Sequence, residues 1–137
     1  MDGQPRALLG FHDTGYLESL VDSFETHGYF VIRAGDWDGM LDAVGDSQFK
    51  CYVMDTNLGQ PGADTYDPAL KIFRPMRGAF ERGEVYFMSI TGNRKLIEKT
   101  RAAGIPCMNR LEFTASKLFE MVESGELIEM AKPTATE

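Results

Sequence analysis

Short apolar runs alternate with helical patterns from one end of the chain to the other, and this order limits the possible folds more than any other feature. Each run is nearly continuous in apolar character rather than alternating, which is typical of strands buried on both faces of a parallel sheet. The runs lie at 7–11, 29–32, 51–54, 85–90 and 106–108.

Amphipathic segments fill the intervals between the runs. Apolar residues recur in them at i, i+3, i+4 and i+7, the spacing that places side chains on one face of a helix. These segments start near residues 17, 37, 69, 94 and 115. Thr14 is predicted as the N-cap of the first helix, and Asp67 and Pro68 as the N-cap and first residue of the third. Pro75 predicts a kink or a break in that third helix.

This series of β-α units predicts a doubly wound α/β fold, a parallel sheet with right-handed crossovers and helices on both faces. The 137 residues suit one domain. We place this domain at residues 1–130 and expect a disordered tail over 131–137.

Charge and cysteine content exclude several classes of function. The formal net charge of −7 argues against nucleic acid as a direct partner, because phosphate binding needs a basic face. No apolar run is long enough for a membrane span, and the amino terminus lacks the apolar core of a signal peptide. Cys51 and Cys107 both lie inside apolar runs, so we expect buried, reduced thiols in a cytoplasmic protein.

Polar residues that follow the predicted strands form one candidate site, because ligands of open α/β sheets bind beyond the carboxyl ends of the strands. Asp13 and Asp55 could share a hard cation, with a third oxygen from the carbonyl of Asn57. Thr91 and Arg110 could bind an oxyanion. This set suits the transfer of a phosphoryl group onto a carboxylate with Mg²⁺.

Four segments in this order resemble the receiver domain of response regulators, over roughly residues 7–125. They are "THGYFVIRAGDWDGMLDAV" at 26–44, "CYVMDTNL" at 51–58, "SITGN" at 89–93 and "AAGIPCMNRLEF" at 102–113. The resemblance implies a flavodoxin-like three-layer sandwich of five parallel strands in the order 2-1-3-4-5 with five helices. It also implies that Asp55 is the phospho-acceptor, that Asn57 offers a backbone carbonyl to the metal, and that Thr91 supplies the strand-end hydroxyl.

The chain departs from the family pattern at the residues around that acceptor. Counted without gaps, the two consecutive acids that end the first strand in the family fall on Phe11 and His12, and Asp13 is the next residue. A one-residue shift makes Asp13 one of the two acids but leaves His12 as the other, so the magnesium site is expected to be weakened or lost. Arg110, Leu111 and Cys107 stand where the family has lysine, proline and an aromatic residue.

Purely structural roles remain open for the same residues. Asp55 could be the carboxylate of a turn, and Asp13 could cap the first helix. The hydroxyl of Thr91 could bond to the following turn. Arg110 could form an ion pair with Asp55, which would compensate a buried charge without any phosphate.

The resemblance implies a stand-alone receiver-like domain in two-component phosphorelay signalling, with Asp55 as the phospho-acceptor. A histidine kinase or phosphotransfer protein would be its donor, and a downstream protein would be its target. The alternative, which the departures favour for mechanism, is a pseudo-receiver that is not phosphorylated and acts as an interaction module. Neither is an enzyme beyond self-phosphorylation of Asp55, and both could bind a partner or a second copy through helix 4, strand 5 and helix 5.

A remote alternative is a phosphatase. The segment "DTNLG" at 55–59 resembles the motif of haloacid-dehalogenase phosphatases, which has aspartates at the first and third positions. Asn57 occupies the third position here, and the strand is the third in the chain rather than the first. The acid that would protonate a leaving group is therefore absent from the motif.

Overall fold

Strands and helices alternate along the chain as the sequence predicts. The computed structural model describes residues 4–60 and 63–132. Its elements are β1 (Arg6–Gly10), α1 (Thr14–Thr26), β2 (Phe30–Ala34), α2 (Trp37–Asp46), β3 (Cys51–Asp55), α3 (Asp67–Glu81), β4 (Tyr86–Thr91), α4 (Arg94–Ala102), β5 (Cys107–Asn109), α5 (Ala115–Ser124) and α6 (Glu126–Met130).

The strands form one parallel sheet in the order β2-β1-β3-β4-β5, which confirms the predicted architecture. α1 and α5 pack against each other on one face of the sheet. Right-handed crossovers place α2, α3 and α4 on the other face. Because the strands are parallel, all their carboxyl ends lie along one edge, where the candidate site is expected.

The core consists of the central strands and the apolar stripes of the helices. Leu8, Val53 and Met88 are fully buried on three neighbouring strands. Phe73 of α3 packs on Phe87 of β4, with ring centroids 4.9 Å apart. The strands read as continuous apolar runs because helices cover both of their faces.

A sixth helix, α6, corrects the prediction of five. Gly125, at φ 83°, ends α5, and α6 follows directly. Leu127 of α6 and Ala131, which follows the helix, are buried against the core. The guanidinium of Arg77 donates to the carbonyl of Ala131 at 3.3 Å and to that of Gly104 at 2.9 Å. A helix of five residues is too short to give a recognisable 3.6-residue period, so the sequence pattern missed it.

Helix starts differ by one residue from the predictions. Asp13, not Thr14, is the N-cap of α1, because its backbone is extended and its carboxylate accepts a hydrogen bond from the N–H of Tyr16. α3 begins at Asp67 with Tyr66 as its N-cap, so Pro68 is its second residue. α3 also runs unbroken through Pro75.

Other expectations concern the cysteines and the tail. Cys51 and Cys107 are buried free thiols, as predicted. Ala131 is buried at the end of α6. Residues 133–137 of the predicted disordered tail lie outside the described residues.

In the described part of the chain, no helix has the length and apolar character needed to cross a membrane.

Candidate functional site

Asp55 is the last residue of β3 and lies half-buried at the carboxyl edge of the sheet. Its Oδ2 accepts a hydrogen bond from the backbone N–H of His12 at 3.0 Å. Burial raises the pKa of the Asp55 carboxyl above its ordinary value, although this hydrogen bond and the nearby Arg110 guanidinium act in the opposite direction. A charge at this position is therefore only partly compensated by the groups around it.

Asp13 caps α1 and also forms an ion pair with the guanidinium of Arg110. Its Oδ1 accepts a hydrogen bond from the N–H of Tyr16 at 3.1 Å, and its Oδ2 lies 3.1 Å from Nη2 of Arg110. The hydrogen bond from Tyr16, aided by the charge of Arg110, holds the pKa of Asp13 below its ordinary value. The capping role that the sequence left open is thus present.

Arg110 joins the end of β5 to the start of α1. Its guanidinium lies over the ring of Tyr16, 4.5 Å from the ring centroid. The hydroxyl of Tyr16 donates to the carbonyl of Arg110 at 3.3 Å. We call these residues the Asp13–Arg110–Tyr16 cluster. Within the described residues, the ion pair of Arg110 is with Asp13 and not with Asp55, which differs from the pairing considered from sequence.

Phe11 and His12 occupy the positions where the resemblance placed an acid pair. Phe11 is fully buried and packs edge-to-face on Tyr16, with centroids 5.2 Å apart. Nε2 of His12 accepts a hydrogen bond from the N–H of Gly59 at 3.1 Å. His12 therefore fastens the loop that follows β3, and Phe11 belongs to the core.

The side chains of Asn57 and Thr91 bond to the turns that contain them. Nδ2 of Asn57 donates to the carbonyl of Ala63 at 2.9 Å, and the carbonyl of Asn57 accepts from the N–H of Gln60 at 2.8 Å. Oγ1 of Thr91 accepts from the N–H of Asn93 at 3.2 Å. The structural role considered for Thr91 is therefore present.

Sequence reasoning gave no role to Tyr16 or Gly59, although both hold the site together. Tyr16 follows the N-cap by three residues, so it lies in the first turn of α1, next to Asp13. Gly59 has a φ of 88°, and a Cβ there would lie 2.8 Å from Cβ of Trp37. A glycine soon after a strand-end turn was the available signal for a left-handed residue.

Solved structures share this topology along nearly the whole chain. A CheY-like response regulator receiver domain protein from Methanospirillum hungatei JF-1 is 20% identical with a TM-score of 0.68, over 93% of this chain and 97% of that chain. The chain has the receiver-domain fold. The signal receiver domain of an HD domain-containing protein from Pseudomonas fluorescens Pf-5 is 17% identical, with a TM-score of 0.65, over 93% and 97% of the two chains.

The likeness extends to a non-phosphorylated receiver domain, HemR from Leptospira biflexa. It is 18% identical with a TM-score of 0.62, over 98% of this chain and 99% of that chain. No protein-family model matches the sequence, and a search of curated proteins gives no match. Identities this low show the receiver fold alone, so the chemistry of the site has to be argued from its own residues.

The side chains at this edge of the receiver fold do not fit Mg²⁺ as they are arranged. Mg²⁺ needs several hard oxygen ligands in near-octahedral geometry. Arg110 neutralises Asp13 and opposes a second cation beside it, and Phe11 supplies no ligand atom. No cluster of three or more potential metal-binding side chains occurs among residues 4–60 and 63–132. Of the two carboxylates Asp13 and Asp55, only that of Asp55 forms no ion pair within those residues.

Cys107 stands where the resemblance implies an aromatic residue. Its Sγ lies 3.6 Å from Oγ1 of Thr56, and both side chains are fully buried. Burial raises the pKa of the Cys107 thiol, so the group stays neutral. Cys107 therefore fills the core here as a neutral thiol.

Proposed function

We propose that this chain is a receiver-like module of two-component signalling that acts by binding other proteins, without metal-dependent phosphorylation of Asp55. The observation that supports this most strongly is the Asp13–Arg110–Tyr16 cluster. In it, a guanidinium neutralises the carboxylate that a metal would need, at 3.1 Å from Asp13.

The electrostatics of phosphoryl transfer explain why the ion pair between Asp13 and Arg110 disfavours phosphorylation of Asp55. A phosphoryl group brings additional negative charge next to a carboxylate, and transfer is fast only where cations are placed to neutralise the developing charge. Arg110 is held by Asp13 and lies over Tyr16. A phosphoryl group on Asp55 would compete with Asp13 for this guanidinium, so its added negative charge would be only partly compensated, which disfavours the phosphorylated state.

The second candidate function is that of a phosphorylated receiver, and the position of Asp55 supports it. Asp55 is half-buried at the end of β3 and accepts a hydrogen bond from the backbone N–H of His12. In this candidate a histidine kinase or phosphotransfer protein supplies the phosphoryl group, weakly bound Mg²⁺ assists, and Thr91 and Arg110 contact the product. For both candidates we expect a cytoplasmic protein with a downstream protein target and no enzymatic activity of its own on small substrates.

Phosphorylation by a small donor separates the two candidates. The protein and its Asp55→Asn variant would be incubated with acetyl phosphate and Mg²⁺, and their intact masses would be measured. We expect no mass increase in either protein. A phosphate-sized increase in the wild type that is absent from Asp55→Asn would overturn the proposal and establish the phosphorylated receiver.

A gain-of-function variant tests whether the residues around Asp55 are what prevents tight Mg²⁺ binding. His12→Asp with Arg110→Lys places an acid and a lysine where the resemblance puts them, and leaves buried Phe11 unchanged. Backbone amide shifts near Asp55 during a Mg²⁺ titration should saturate at lower concentration in this variant than in the wild type. Arg110→Lys alone is the matched control. Equal Mg²⁺ binding by wild type and double variant would contradict the explanation.

A further inference from the structure

α2 presents an acidic surface with an exposed leucine near its centre. Asp38, Asp42 and Asp46 are exposed, and the helix contains no basic residue. Leu41 lies beside Asp42 with 45% of its surface exposed, one of three large apolar side chains so exposed among the described residues. Asp46 ends the helix, where the negative end of the helix dipole makes an anion unfavourable. This surface is therefore suited to a cationic partner with some apolar area.

α4 carries the opposite charge. It contains four basic residues and a single acid, Glu98, although the whole chain has a net charge of −7. Arg94 and Lys95 are exposed in its first turn, where the positive end of the helix dipole makes cations unfavourable. Neither forms an ion pair within residues 4–60 and 63–132, whereas Lys99 pairs with Asp64 at 3.2 Å.

The two helices lie at opposite ends of one layer. α2 contacts β2 and β1, and α4 contacts β4 and β5, so α3 separates them. When two copies are placed side by side in the same orientation, α2 of one copy meets α4 of the other. Ile97, half-buried on α4, then provides an apolar counterpart for Leu41.

We infer that α2 of one copy of this chain docks on α4 of a second copy, in a head-to-tail contact. A second copy is the favoured occupant because both charge signs occur on the same molecule, at matching ends of one helical layer. Such a contact is heterologous, so it leaves one free α2 and one free α4 and can add further copies. It goes beyond the proposed function, because neither Asp55 nor the Asp13–Arg110–Tyr16 cluster takes part.

The contact can be tested with two charge-reversal variants. Asp42→Lys with Asp46→Lys changes the α2 surface, and Arg94→Glu with Lys95→Glu changes the α4 surface. Three of these four changes improve the match between the helix termini and the helix dipoles, so loss of folding is not expected. Thermal melts monitored by circular dichroism check that both variants fold. Asp22→Lys with Glu25→Lys makes on α1 the same charge change as the α2 variant and serves as its control.

Sedimentation velocity over a concentration series at low salt measures the association. We expect the mass of the wild type and the α1 control to rise above 15.3 kDa with concentration, and each charge-reversal variant to stay at that mass. An equimolar mixture of the two variants should form a dimer that does not grow further, because each variant keeps one intact surface.

Three results would overturn the inference. The first is a wild type that stays at 15.3 kDa throughout. The second is a mixture of the two variants that remains monomeric. The third is a wild-type dimer that the α4 changes disrupt and the α2 changes leave intact, which would indicate a symmetric contact through α4, β5 and α5 instead.

Discussion

Gly59 is a position at which a single methyl group should destabilise the protein substantially. Its φ of 88° is a left-handed conformation that costs other residues roughly 1–2 kcal/mol. A Cβ there would also lie 2.8 Å from Cβ of Trp37, an atom that no side-chain rotation can move away. Forced overlap of this kind typically costs about 1–3 kcal/mol. We therefore expect Gly59→Ala to lower the free energy of unfolding by about 2–5 kcal/mol.

Gly28 provides a matched control for the conformational part of this cost. It has the same φ of 88°, but a Cβ there meets no atom within 4 Å. Gly28→Ala should therefore cost only the conformational part, about 1–2 kcal/mol. The difference between the two variants measures the contact between Gly59 and Trp37.

Urea denaturation of both variants gives the two free energies. Trp37 is the only tryptophan in the chain and packs on Gly59, so its fluorescence should also change in folded Gly59→Ala and stay unchanged in Gly28→Ala. Equal losses of stability in the two variants would refute the reasoning. So would an unaltered Trp37 emission in Gly59→Ala, because the loop would then not press on the indole.

Three further predictions concern the site and the core. Burial raises the pKa of the Asp55 carboxyl, so the folded state holds the carboxyl proton more tightly than the unfolded chain does. The free energy of unfolding should therefore fall as the pH rises from about 4, the ordinary value for Asp, through the pKa of the folded state. Asp55→Asn should thus raise Tm at neutral pH, and the gain should vanish in melts below about pH 4. Leu8→Ala removes a fully buried side chain and should cost about 2–5 kcal/mol in urea denaturation, whereas Leu111→Ala, at a position 91% exposed, should cost almost nothing. Thr91→Ala loses the bond to Asn93 and should cost about 0.5–1.5 kcal/mol by the same measurement, with most of it restored in Thr91→Ser.

The sheet could be predicted from the sequence because its signal is repeated. Each strand is an apolar run with a helix before or after it, so one uncertain boundary does not change the topology. The strand limits nevertheless moved by one or two residues, as for β1, predicted at 7–11 and observed at Arg6–Gly10. Hydrogen bonds to neighbouring strands decide such limits, and apolar character does not report them.

Helix caps were harder to predict because neighbouring residues can serve the same purpose. Asp13 and Thr14 are both good N-caps, and backbone geometry selects Asp13, whose carboxylate reaches the N–H of Tyr16. At α3, Tyr66 precedes the helix without a side-chain cap, although Asp67 stands next to it. A propensity scale ranks residue types and cannot choose between adjacent positions.

The residues of the site were predictable from topology, but their bonds were not. Parallel strands bring Asp13, Asp55 and Arg110 to one edge whatever their chemistry. Arg110 is also held by Tyr16, whose ring lies against the guanidinium and whose hydroxyl bonds to the Arg110 carbonyl. Tyr16 lies in the first turn of a helix rather than at a strand end, so no rule about strand ends includes it. The contacts that hold Arg110 beside Asp13 therefore include a residue that the rules used on the sequence do not single out.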